Sequence, residues 1–355
     1  MIILKKIFLL FILSIIFIPS SALALGNNFS NYIVMDMDSK RIFYEKASNE
    51  VKLPASTTKI MTLVVALENS SLSDVATVGE EILTIDGSNI YLEMNEKILM
   101  QDLLYGMILR SGNDASMTIA KNISSSIPNF VKLMNEKSQY LHLKNTKFNN
   151  PTGLDDNEKN YSTVKDLSLI YSYGYKNKTF REIVKTKEYS ATSTKKSYYF
   201  KNRSTILNMD NRITGAKTGY TPKAGRILVS SANSNNLNIV ISSISKNDYG
   251  YEEHIKFYDD IFNNYKNYII LDKNNFKLNS SLGKTYIKNS YSYPLSKSEV
   301  NKISKKVIYN KKKHGVIGEI LIYLDKELIH KEKLYLKEEK IDFFTKIKSF
   351  FGFNR

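Results

Sequence analysis

The chain contains no cysteine. Disulfides, thiol nucleophiles and cysteine-based metal sites are excluded, so any folded unit must be held by core packing alone. Histidine is scarce: His142, His254, His314 and His330 are scattered, and none stands at a spacing that suggests a zinc site or a serine–histidine pair. No metal and no cofactor is expected. Beyond the N-terminus there is no apolar run long enough to span a membrane, no internal repeat and no low-complexity linker.

What is present starts with the layout of an export signal. Lys5 and Lys6 precede an apolar run from Ile7 to Ile18, then Pro19 and the small-x-small site Ala22-Leu23-Ala24. About twelve apolar residues reach only about 18 Å as a helix, short of a hydrocarbon core of roughly 30 Å. The expectation is a signal peptide over 1–24, cleaved after Ala24, and a protein exported to the outer face of the cytoplasmic membrane. The net charge is +16, and losing Lys5 and Lys6 leaves 16 − 2 = +14. Such a charge invites nucleic acid as a partner, but the export signal argues against it. An anionic membrane surface or wall polymer suits a basic exported protein better, with peripheral membrane contact expected.

A chain of 355 residues with 42% hydrophobic content can bury one substantial core and a smaller second one. Strand-like runs at Tyr32 to Met37 and Arg41 to Lys46 read as a hairpin turning at Asp38-Ser39. Pro54 announces a helix whose stripe is Ile60, Met61, Leu63, Val64 and Leu67. Helical spacing recurs over Asp102 to Arg110, Asp114 to Lys121, Pro128 to Leu141 and Thr163 to Tyr173. Strands return at Arg212 to Thr218, Arg226 to Ala232 and Leu237 to Ser245, and a helix around His254 to Tyr265 closes the unit. This order predicts an α/β fold of the α+β type: an antiparallel sheet with flanking helices and an inserted helical subdomain, over 25–268. A small all-β C-terminal domain is expected over 269–338, with a hairpin of Ile317 to Leu324 and Glu327 to Leu336.

Three short motifs stand in order: Ser56-Thr57-Thr58-Lys59, Ser111-Gly112-Asn113 and Lys217-Thr218-Gly219. Singly, the first two carry little. Ser162, Ser193, Ser243 and Ser281 also have a lysine three residues on, and Ser231-Ala232-Asn233 repeats the second pattern. The signal is the ordered set in its setting. Ser56 falls at the predicted start of a helix, where free N–H groups favour a developing oxyanion. Lys59 lies one turn on, placed to take the Ser56 proton if its amine is neutral. A lysine ordinarily titrates near 10.4, so burial or a nearby cation such as Lys217 must lower it. Ser111, in a loop after a helix, suits proton relay, and Asn113 offers a donor and an acceptor to a peptide. Lys217 and Thr218, at the end of a strand, suit a terminal carboxylate, and Gly219 permits close backbone approach. Each motif alone also has an ordinary reading, as a helix cap, solvated lysines or a plain turn.

With these residues in place, the chain resembles the low-molecular-mass penicillin-binding proteins that act as serine D-alanyl-D-alanine carboxypeptidases. The likeness extends to Pro54-Ala55, Asn113-Asp114-Ala115, Phe148 to Leu154, Tyr161-Ser162-Thr163 with Asp166-Leu167, Gly215-Ala216, Tyr220-Thr221 and Ala224-Gly225. It implies a penicillin-binding/β-lactamase-like fold and a serine peptidase acting on peptidoglycan stem peptides. In that reading Ser56 is acylated, Lys59 is its base, Ser111 assists proton transfer and Asn113 holds the peptide. Lys217 and Thr218 hold the carboxylate, and the N–H groups of Ser56 and Tyr220 form the oxyanion hole. β-Lactams are implied as covalent inhibitors. Arg226 departs from the pattern and puts fine substrate preference in question.

The tail 339–355 reads as an amphipathic helix. Phe343, Phe344, Ile347, Phe350 and Phe351 share an arc of about 120° flanked by Lys346, Lys348 and Arg355, as in a helix lying in an anionic interface. The rival readings are a β-lactamase, a transpeptidase or endopeptidase, and a catalytically weak penicillin-sensing or wall-binding module. Against the first, no glutamate motif stands in a convincing position between Asn113 and Lys217; Glu158 is near but in the wrong local pattern.

Overall fold

The computed structural model describes residues 25–155, 159–280, 283–310 and 315–337. The segment 1–24, Glu158, Ser281, His314 and the tail 339–355 lie outside the described residues. The chain divides into two compact units, one running to Ser234 and resuming over Asn238–Ile261, the other holding Asn235–Leu237 and the chain from Phe262 onward.

The first unit is built on a five-stranded antiparallel sheet of order β2-β1-β9-β8-β7. Its strands are β1 (Phe29–Asp36), β2 (Ile42–Lys46), β7 (Ile213–Thr221), β8 (Gly225–Ser234) and β9 (Leu237–Ser245). Between β2 and β7 lies the helical insertion: α1 (Lys59–Asn69), α2 (Met100–Leu109), α3 (Asn113–Ser124), α4 (Ile127–Tyr140), α5 (Val164–Gly174) and α6 (Lys178–Lys185). Helix α7 (Tyr251–Asn264) follows the sheet. The expected α+β layout is thus the observed one. Local chemistry sets the boundaries. Ser126 caps α4, with Pro128 in its first turn, Thr163 caps α5 and Asn177 caps α6, each accepting a backbone N–H. Asn235 and Asn236 both adopt positive φ, the requirement of a two-residue hairpin turn between β8 and β9.

Two features differ from expectation. The stripe on α1 widens into burial on nearly every side from Lys59 to Ala66, because α2 to α6 surround it. Two small hairpins, β3 (Val75–Thr77) with β4 (Lys97–Leu99) and β5 (Glu188–Thr192) with β6 (Ser197–Lys201), have too few apolar residues to signal themselves.

The central strands are covered on both faces, which explains their near-continuous burial. On one face Ser231 and Ser242 bond Tyr171 and Ser168 of α5 at 2.8 and 2.7 Å. On the other, His254 of α7 is fully buried between Ser230 and Ser243 at 2.7 and 2.8 Å. Burial lowers the His254 ring to about 3, so it is neutral and acts as a packing residue.

The second unit is all-β. It contains β10 (Tyr265–Leu271) paired with β13 (Tyr291–Ser296), and a sheet of order β11-β12-β16-β15-β14. Those strands are β11 (Asn279–Ser280), β12 (Gly283–Tyr286), β14 (Ile303–Tyr309), β15 (Val316–Leu324) and β16 (Glu327–Leu336). Leu271, Ile287, Ile317, Ile320, Ile322 and Leu334 form its core. Among the described residues, no helix is long and apolar enough to cross a membrane.

Candidate active site

Ser56 does not open an α-helix. It sits in a 3-10 turn, Ala55–Thr58, that feeds α1, and is half-buried. Ala55 has φ 46, a left-handed conformation uncommon for alanine, and Thr57 ties the turn back to the Pro54 carbonyl through both N–H (3.1 Å) and hydroxyl (2.5 Å). A floor lies beneath this turn. Thr62 of α1 donates to the Pro151 carbonyl at 2.7 Å, and Gly153, at φ +90, lies so close that a Cβ there would stand 1.8 Å from the Ala55 carbonyl oxygen.

Lys59 is completely buried. Its Nζ lies 2.7 Å from Asn113 Oδ1, 2.7 Å from the Thr152 carbonyl oxygen and 3.1 Å from Ser56 Oγ. Burial first, then the charge of Lys217, holds the amine well below its ordinary range, against the opposing pull of Asp114. The Asp114 carboxylate in turn accepts the N–H groups of Ile90, Leu92 and Ala115 at 2.8 to 3.1 Å, fixing the start of α3. Asn113 is oriented by its Nδ2, which donates to the Asp86 carbonyl at 2.6 Å.

Ser111 adopts φ 62 between α2 and α3 and is buried. Its Oγ lies 3.0 Å from Nζ of Lys217, which is 1% exposed and also donates to the Thr218 carbonyl at 2.7 Å. Burial, reinforced by Arg203, lowers Lys217 to about 7. The Lys-Thr-Gly segment lies within β7 rather than at its end, since the strand continues to Thr221. There β7 is the edge strand of the sheet and borders the Ser56 turn. A Cβ on Gly219 would stand 3.0 Å from the Thr57 nitrogen and 3.1 Å from that of Ser56, so glycine lets the strand backbone approach the Ser56 turn. Tyr220 is half exposed, with the Arg226 guanidinium 4.7 Å from its ring centre and 5.3 Å from that of Tyr249.

The three motifs, more than a hundred residues apart at their extremes, therefore share one cleft. Sequence reasoning assigned no role to Asn150 and Asn160, which build its floor. Asn150 Oδ1 accepts the N–H of Thr152 and of Gly153 at 3.1 and 2.7 Å, and Asn160 Nδ2 reaches Thr58 Oγ1 at 3.1 Å. The Asn149-Asn150-Pro151 run signals a turn, but nothing local says which carbonyl the turn will aim at Lys59. Among the described residues, no group of three or more His, Asp or Glu is placed to hold a metal.

Fold and cleft together are those of the low-molecular-mass penicillin-binding proteins. The family model described as D-alanyl-D-alanine carboxypeptidase (peptidase S11) matches residues 24–247, and the chain belongs to that family. Its relatives include the D-alanyl-D-alanine carboxypeptidase DacF of Bacillus subtilis, 34% identical over 61% of this chain and 57% of that protein. Another is the DacA carboxypeptidase of Haemophilus influenzae, 35% identical over 59% of this chain and 55% of the relative. These matches span little more than half of either relative. Among solved structures, penicillin binding protein 5 from Haemophilus influenzae superposes with a TM-score of 0.76 at 27% identity, over 88% of this chain and 97% of that one.

Proposed function

We propose that the chain is a D-alanyl-D-alanine carboxypeptidase that removes the terminal D-alanine from peptidoglycan stem pentapeptides through a serine acyl-enzyme, with β-lactams as covalent inhibitors. The observation that carries this reading is the shell around the Lys59 amine. Two of its three partners, Asn113 Oδ1 and the Thr152 carbonyl, can only accept hydrogen bonds. A neutral amine has two N–H donors, which they consume, and one lone pair, which is left facing Ser56 Oγ at 3.1 Å. Lys59 is then the base rather than a spectator cation.

Ser56 Oγ attacks the carbonyl carbon of the penultimate D-alanine as its proton passes to Lys59 Nζ. Negative charge on the carbonyl oxygen falls to the backbone N–H groups of Ser56 and Tyr220. Collapse breaks the peptide bond, and Ser111, beside Lys217, relays to the departing amine the proton that Lys59 took from Ser56. Asn113 positions the peptide, while Lys217 and Thr218 hold the terminal carboxylate beside Gly219. Water then resolves the ester.

Family membership and the signal-like N-terminus support export, with residues 25–268 as the peptidase domain, 269–338 as a β domain and 339–355 as an anchor on the outer face of an anionic membrane; no nucleic-acid role is proposed. The test is D-alanine release from a stem pentapeptide by protein lacking residues 1–24, beside Ser56→Ala, with penicillin labelling of both. Release and labelling should vanish together in the variant. Labelling without release would favour a sensor or transpeptidase, and no labelling would overturn the assignment.

A further inference from the structure

The positive charge of the chain is unevenly shared. Over 25–261 there are 29 lysines and arginines against 26 acidic residues, 29 − 26 = +3, while over 262–337 there are 16 lysines against 6 acidic residues, 16 − 6 = +10. A general enrichment in lysine would raise both units alike, so the second unit, from Phe262 onward, has a basic character of its own.

Within that unit the charge gathers on one face of the sheet β11-β12-β16-β15-β14. Thr285, Glu332 and Leu334 are buried on the side that holds the core, so strand alternation puts Lys284, Lys331 and Lys333 on the other side, where all three are exposed. Lys306 joins them, since it pairs in register with Leu321, which pairs with Lys331. Lys288 completes the group from just beyond β12, with its Nζ 4.5 Å from the ring centre of Tyr335. Tyr335 pairs in register with Tyr286, and their rings stack with centres 5.2 Å apart. Among the described residues, Glu319, opposite Lys333, is the one carboxylate at these register positions. No amine of the five has a hydrogen bond or ion pair among the described residues, whereas Lys302 pairs with Asp325 at 3.2 Å and Lys305 donates to the Ile270 carbonyl at 2.6 Å. Like charges held together on one sheet face repel each other, and an anionic partner relieves that repulsion.

Where the chain goes next points to the kind of partner. Strand β16 ends at Leu336, which pairs with Thr285, so the chain leaves the sheet beside Lys284 and the Tyr286–Tyr335 pair. The segment 339–355 begins three residues later, and three residues span at most about 10 Å. In the proposed reading that segment lies in the membrane interface, which holds this corner of the sheet within the range over which anionic headgroups attract lysine. Tyrosine beside lysine suits the headgroup level, the ring at the apolar boundary and the amine on phosphate. A soluble polyanion would satisfy the lysines but leave the tyrosine pair without a counterpart.

We propose that this face of the second unit docks on a bilayer of anionic phospholipid, so that the β domain lies against the membrane as well as being tethered to it. This rests on the reading of 339–355 as an anchor.

The lack of cysteine makes single labelling positions available. Protein from Leu25 onward, carrying an environment-sensitive fluorophore at Ser304→Cys on the basic face, Lys178→Cys in the first unit or Phe350→Cys in the tail, is titrated with three probes: vesicles of phosphatidylglycerol mixed with phosphatidylcholine, vesicles of phosphatidylcholine alone, and soluble poly(glycerol phosphate). A saturable blue shift is expected at position 304 with the anionic vesicles alone, and none at 178. Lys284→Gln, Lys288→Gln and Lys333→Gln together should weaken the partition read at 304 by about a hundredfold, about fivefold for each lysine taken from an anionic surface, with penicillin labelling of Ser56 unchanged. A response at 350 with silence at 304 overturns the proposal, as does a 304 response indifferent to the three substitutions or an equal shift with the soluble polymer. A response at 304 with silence at 350 supports the docking face and removes the anchor reading, so the two claims fail separately.

Discussion

Gly153 is where the cleft floor presses on the nucleophile turn, and Gly153→Ala perturbs both at once. At φ +90 a Cβ is strained whatever the space, and its position 1.8 Å from the Ala55 carbonyl oxygen compares with 3.4 Å for ordinary contact. Either the 151–154 loop or the Ala55–Ser56 turn must retreat by about 1.5 Å, and misplacement on the order of 1 Å costs roughly a hundredfold in rate, about 2.7 kcal/mol. Because Thr152 supplies a carbonyl to Lys59, retreat of the loop also removes an acceptor that helps aim the amine at Ser56. Penicillin acylation should slow by about a hundredfold or more, measured as a second-order labelling constant alongside a thermal melt. Gly315→Ala is the control, since Gly315 has φ +70 but nothing within 4 Å of its Cβ position. It should cost about 1–2 kcal/mol of backbone strain and leave acylation intact. Normal acylation by Gly153→Ala would refute the claim that this loop sets the nucleophile geometry.

Three further outcomes are expected. Lys59 must be neutral and Lys217 charged for the proposed chemistry, so kcat/KM for a carboxylate-bearing peptide should fall above about pH 7, as the free enzyme's Lys217 loses its proton. The corresponding limb of kcat should lie higher, because a bound carboxylate stabilises the ammonium; a kcat/KM profile level to strongly alkaline pH would contradict this assignment. The His254 ring is held at about 3 when folded, against 6.5 unfolded, so the unfolded chain binds the extra proton between those values. Stability should therefore be intact above pH 6.5 and decline toward pH 3, by at most about 5 kcal/mol from this residue, with His254→Gln flattening the decline in urea titrations. Ser126→Ala removes the cap that accepts the Asn129 N–H, and a loss of about 1 kcal/mol with unchanged acylation would place that effect in α4 alone.

The helices of the insertion were legible because each buries one face and so repeats its apolar residues at the helical period; those expected over 102–110, 114–121, 128–141 and 163–173 lie within two or three residues of α2 to α5. The Asn-rich turn fixed the β8–β9 hairpin for an equally local reason, since asparagine tolerates positive φ. Hairpins β3–β4 and β5–β6 escaped notice because strands of three to five residues with half their side chains in solvent leave no periodicity to read. The start of the nucleophile helix was misjudged because Pro54 and Ser56 suit a 3-10 turn as well as an α-helix, and the choice belongs to the loop packed beneath.

For the site, the sequence by itself determined the reactive groups: a hydroxyl three residues before a lysine, a second serine before an asparagine, a lysine before threonine and glycine. It also determined their order along the chain. Only the tertiary structure decided that Lys59 loses its water, that Lys217 comes close enough to depress it, and that Asn113 Oδ1, the Thr152 carbonyl and Ser56 Oγ become the three neighbours of its amine. The physical reason is that basicity is not a property of a motif. It follows from burial and from charges and dipoles brought near from distant parts of the chain, and those distances exist only once the sheet and the helical insertion have closed on one another.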